Sequence, residues 1–134
     1  MLNSFQHLQK IPEPNSGQAL KQVQDDGLEM TSSSLILLRK VPKTYENIVI
    51  LNQLTRSITS VGANDQEADG VTTRNDFIHC YTIVRKELKE TYYWLRLLSI
   101  LNNVLTKQID YVLTENDEII RIISSIIYNT QKKH

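Results

Sequence analysis

The stretch RSITSVGANDQEADG, residues 56–70, decides the fold. Its centre, Ser60 to Asp65, has the composition of a turn, because Ser, Gly, Asn and Asp are the usual punctuators of a chain. Its flanks read as helix. Apolar Ile48, Leu51, Leu54, Ile58 and Val61, followed by Asp65 and Ala68, step by three or four residues straight through that centre, which is helix period. Gln53, Ser57, Ser60, Asn64 and Glu67 keep a second, polar stripe beside the first. A turn would break both registers, and neither breaks. The reading is therefore one helix over about residues 44–69. In it, Gly62 and Ala63 form a smooth patch where a neighbouring backbone can come close, at about 1 kcal/mol for the glycine. Gly70 is the expected C-terminal cap.

Outward from this helix the pattern repeats. Leu20, Val23, Met30, Leu37 and Val41 mark a first helix over about residues 19–41, and Pro42 closes it because the residue before proline avoids the helical region. Thr73 is a good N-cap for a third helix, about 74–101, with Asp76 in its first turn. Phe77, Tyr81, Val84, Leu88, Thr91, Leu95 and Leu98 form its inner face. Asn102 and Asn103 supply a turn. A fourth helix over about 106–129 carries Ile109, Val112, Leu113, Ile119, Ile120, Ile123, Ile126 and Ile127 inward. Residues 1–17 hold two of the three prolines and no sustained period, so they read as a poorly ordered N-terminal extension to a bundle over 18–131. Four amphipathic helices with short links predict an all-α, antiparallel up-down-up-down four-helix bundle.

Composition sets limits on function. The chain has 134 residues, 40% of them hydrophobic and 22% charged, which suits a single soluble domain. Fifteen basic and fifteen acidic side chains cancel, so there is no global footprint for nucleic acid or an anionic membrane. No apolar run, Leu35 to Leu38 included, approaches a bilayer span. Cys80 is the only cysteine, which excludes an internal disulfide and fits a reduced, cytoplasmic setting.

The assembled motifs resemble a known family. "VPK" (41–43), "NQLTRSITSVGANDQEADG" (52–70) and "DFIHCYTIVRKELKETYYWLRLL" (76–98) are similar, in order and spacing, to the bacterial four-helix-bundle proteins of 23S ribosomal RNA intervening sequences. The likeness covers roughly residues 30–128. It implies a ring-like homo-oligomer, often a pentamer, with no established catalytic activity. A related group, the accessory variability determinants of diversity-generating retroelements, shares the bundle and binds a reverse transcriptase and nucleic acid.

Several side-chain groups are candidates for function. Ser57, Ser60, Asn64 and Glu67, with Trp94, are the expected oligomer interface: short side chains permit close approach, and a polar position can fix register. The plain alternative for that stripe is a solvated face. Arg74, Arg85, Lys86, Lys89 and Arg96, with Tyr92 nearby, are the expected nucleic-acid contacts, since cations interleaved with aromatics grip phosphates and stack bases. Lys86 can instead pair with Glu90 at i, i+4. Glu67, Glu87, Glu90, Glu115 and Glu118 raise a remote alternative, a carboxylate metal-site enzyme, but the Glu-x-x-His pattern of such bundles is missing. His79 and Cys80 point about 100° apart on a helix and make no catalytic pair. No phosphate loop or metal-spaced Cys/His group is present. The expectation is a non-catalytic interaction scaffold without cofactor or metal. An RNA- or DNA-binding accessory protein is its rival.

Overall fold

The computed structural model describes residues 17–132; the side chains of 17–20, 22, 23 and 26 lie outside that description. The expected extension therefore falls outside the described residues, except that residue 17 already begins a helix. The inward placing of Leu20 and Val23 also lies outside them. Four helices follow one another: α1 (Gly17–Leu38), α2 (Tyr45–Glu67), α3 (Arg74–Leu101) and α4 (Thr106–Lys132). Neighbours in sequence pack together, and α1 closes against α4, giving an all-α up-down bundle. No described helix is long and apolar enough to cross a membrane.

The helix ends follow local chemistry. α1 stops three residues before the expected Val41: Arg39, Lys40 and Val41 each donate to the carbonyl three residues back, a tightened last turn ahead of Pro42. Thr44 caps α2 by accepting from the Asn47 amide at 3.2 Å, and Thr73 caps α3 by accepting from Asp76 at 3.1 Å. α2 runs unbroken through Gly62. It ends at Glu67 in a 3-10 turn, Ala68–Gly70, and no glycine has a positive φ. Gly70 is thus not the left-handed cap expected from its place after the helix. Ala68, still right-handed, is the cap residue, and its N–H returns to Asn64.

Close approach occurs at a different glycine from the expected one. A Cβ on Gly62 would meet Thr31 at an ordinary 3.7 Å, and Ala63 is exposed. A Cβ on Gly27 would lie 2.9 Å from Asp65 Oδ2, so Gly27 is where α1 presses on α2. Ile48, expected inside, is 43% exposed. Asn47, Ile50 and Leu51 turn inward at that end instead.

The core has two apolar clusters. One gathers Met30, Val61, Tyr81, Leu88, Ile119 and Ile123; the other gathers Leu37, Leu54, Ile58, Leu95, Leu98 and Val112. Between them each helix passes one fully buried polar residue: Ser34, Ser57, Thr91 and Asn116 are all 0% exposed.

Candidate interaction surfaces

The polar stripe of α2 divides in two. Ser57 Oγ donates to the Leu54 carbonyl at 3.2 Å and lies 2.8 Å from Thr91 Oγ1, inside the α2–α3 seam. It has no exposed surface, so it cannot meet another subunit while the seam is closed. This corrects its place in the expected interface. The cause is rotation: α2 turns Ser57 toward α3, while Ser60 and Asn64 sit on the rim and Glu67 is exposed. Asn64 donates back to the Ser60 carbonyl at 2.9 Å. Along the same rim, Arg56 bridges to Glu87 at 3.4 Å and to Glu90. Glu90 therefore serves Arg56 rather than Lys86. Arg56 was missed from sequence because a pair between two helices has no local spacing.

Trp94 is half-buried against the second apolar cluster, its ring edge-on to Tyr93 at 4.9 Å. Its indole N–H is buried without a hydrogen-bond partner. Tyr93 (59% exposed), Ile100 (66%) and Val104 (95%) continue an apolar strip out to the end of α3 and the following turn.

The basic residues do not form one patch. Arg74 opens α3, and Arg96 lies 22 residues on, about 33 Å along a helix. Arg85, Lys86 and Lys89 share little more than one turn and make no ion pair or hydrogen bond with the described residues. Arg96 lies over the Tyr92 ring, 6.0 Å from its centroid.

The acidic residues are also separated. Glu87 and Glu90 stay at the α2–α3 seam, whereas Glu115 and Glu118 belong to the side of α4 that faces α1. There, Glu115 first, then burial, then Glu29 and Glu118 push the Tyr111 phenol above its ordinary value. Among the described residues no group of three His, Cys, Asp or Glu side chains is placed to hold a metal. Cys80 is buried, its thiol pushed up by burial and by the Glu67 and Asp76 carboxylates, while His79 is exposed. Beyond the acids, the α1–α4 seam opens into a groove of about 410 Å³, where Ile36, Leu37, Tyr111 and Val112 lie between Lys40 and Lys107.

These features define a small all-α protein of four helices packed as an up-down bundle. The chain belongs to the 23S rRNA-intervening sequence protein family, whose model matches residues 21–125. It is similar to a crystal structure from Bacteroides thetaiotaomicron, a protein of unknown function from the S23 ribosomal protein family. The two share 33% identity over 81% of this chain and 97% of that one, with a TM-score of 0.74. No curated protein matches the chain.

Proposed function

We propose that this chain is a non-catalytic scaffold that assembles with copies of itself, in the manner of the ring-like, pentamer-forming bundles it resembles. The observation that carries this is the apolar strip of α3. Tyr93, Ile100 and Val104 stand in solvent beside half-buried Trp94 and Leu97. A contiguous exposed apolar surface on a chain of zero net charge marks a contact site. The α2 rim residues Ser60, Asn64 and Glu67 add a polar part to that contact. Light scattering at micromolar concentration tests the reading: a mass several times the 15.5 kDa chain is expected, and a monomer overturns it.

A second reading has one observation in its favour. Arg85, Lys86 and Lys89 make no ion pair or hydrogen bond with the described residues, and such cations can neutralise phosphates of RNA or DNA or dock on an enzyme that handles them. Polyanion binding that weakens steeply with added salt is its signature. A cytoplasmic setting suits either reading, given the lone buried thiol of Cys80.

A further inference from the structure

Among the described residues, two places on the bundle carry side chains of opposite sign that make no ion pair. On α3, Lys86 and Lys89 are exposed and make no ion pair among the described residues, with Tyr93 in solvent beyond them. On the α1–α4 seam, Glu29 is exposed and Glu118 Oε2 is buried without a hydrogen-bond partner; the groove floored by Ile36 and Tyr111 follows. Ile36 and Tyr111 are 52% and 48% exposed.

The spacings agree on all three helices. Lys86 precedes Tyr93 by seven residues, Glu29 precedes Ile36 by seven, and on antiparallel α4 Glu118 follows Tyr111 by seven. Seven residues of helix are about 10.5 Å. The charge-to-apolar separation is therefore the same from Lys86 to Tyr93 as from Glu29 and Glu118 to the groove. A copy that seats its lysines on the glutamates places its tyrosine at the apolar groove in the same step.

Direction then selects the symmetry. In an up-down bundle α1 and α3 run the same way, and on both the charged residue comes before the apolar one. The faces match when two copies stand side by side with the same orientation. A two-fold partner with antiparallel helices would reverse the order and set Lys86 against Ile36. Same-orientation contact between two different patches is heterologous, and closes into a ring when the rotation allows.

We propose that the outer face of α3, through Lys86, Lys89 and Tyr93, docks on the α1–α4 seam of a second copy, where Glu29 and Glu118 meet the lysines and the Ile36–Tyr111 groove receives Tyr93. This rests on the self-assembly reading and adds to it both contact faces and their orientation. In a ring every copy uses both faces, so the basic side of α3 is covered by protein.

Charge reversal tests this by light scattering, with circular dichroism as the control for folding. Lys86→Glu with Lys89→Glu, and separately Glu29→Lys with Glu118→Lys, should each weaken assembly about tenfold or more. The four reversals together should restore it. If the wild type assembles and either pair of reversals leaves the mass unchanged, this docking is wrong and self-assembly stands. Failure of the fourfold variant to reassemble while folded also overturns it. A monomeric wild type removes both readings. Should a reversal unfold the bundle, Tyr93→Asp on exposed α3 carries the test: loss of mass supports the docking, and an unchanged mass overturns it.

Discussion

Tyr81 Oη donates to Asp65 Oδ1 at 2.9 Å, joining α3 to α2 in the interior beside Gly27 of α1. Asp65 is 4% exposed, and Gln24 donates to its backbone carbonyl at 2.9 Å. Burial raises its carboxyl from 3.8 to about 6; the Tyr81 hydrogen bond lowers it and the Asp69 charge raises it further. The folded state thus holds the proton more tightly than the unfolded chain. Its contribution to stability is full below pH 3.8 and is lost as pH rises through about 6. Two pKa units correspond to about 3 kcal/mol. Asp65→Asn keeps an acceptor for Tyr81 and removes the charge. Relative to wild type, its stability in urea should rise by about 2–3 kcal/mol between pH 4 and pH 7.5. A difference that stays flat with pH would show that Asp65 titrates normally.

Glycine substitutions should separate the two candidate approach points. Gly27→Ala forces a methyl group to 2.9 Å from the Asp65 carboxylate, on a helix pair already pinned by Gln24. A loss of about 1–3 kcal/mol is expected from overpacking. Gly62→Ala meets only an ordinary contact in mid-helix and should be neutral or add up to about 1 kcal/mol. Ala63→Pro on the same helix should cost about 3 kcal/mol or more, because α2 is continuous there. Thermal melts of the three variants rank them directly.

What could be read from sequence was periodic, and what could not was pairwise. The continuity of α2, the Thr73 cap and the inner face of α3 follow from spacing and local chemistry, which act within one segment. Gly27, not Gly62, as the tight contact depends on which α2 side chain faces α1. Ser57 carried the same stripe signal as Ser60, yet a rotation of some 60° between them put one inside the seam and the other on its rim. Arg56 needed Glu87 and Glu90, 31 and 34 residues away. The seam groove required α1 and α4, the ends of the chain, to be placed side by side.

That division of the stripe predicts opposite outcomes for one substitution at two neighbouring positions. Ser57→Arg buries a cation where the site has 0% exposure and breaks the contact with Thr91, so the bundle should lose several kcal/mol or fail to fold. Ser60→Arg sits at the rim and should keep the helical circular dichroism signal. If that rim borders the subunit contact, the same variant should lower the mass seen in light scattering. Equal folding losses at both positions would contradict the placement of Ser60.

Asn47 and Asn102 exchange side-chain amide hydrogen bonds at 2.9 and 3.0 Å, and each also holds a carbonyl, of Pro42 and Leu98. They tie the link before α2 to the turn after α3 at one end of the bundle. Asn102→Ala leaves the buried Asn47 carbonyl oxygen without that partner. A double-mutant cycle of the two alanine variants in urea should give a coupling of about 1–2 kcal/mol. A coupling near zero would mean that the exchange does not persist in solution.

Asn116 is the costliest member of the polar layer between the two apolar clusters. It is 0% exposed, and neither its amide nitrogen nor its oxygen has a partner. It lies between Val112 of one cluster and Ile119 of the other, where purely apolar packing would favour Leu. An unpaired buried amide costs about 1–3 kcal/mol, and an apolar side chain of similar size recovers much of that. Asn116→Leu should therefore raise the urea midpoint without changing the slope of the transition. The gain carries a cost in specificity: with the polar layer weakened, Ile, Leu and Val rows of adjacent helices can slide by a turn at lower penalty. Amide NMR spectra of the Leu variant should then show extra or broadened peaks for residues flanking 116. A variant that is instead less stable by 1 kcal/mol or more would show that the Asn116 amide is hydrogen-bonded in solution, through internal water, and that the layer stabilises the fold outright.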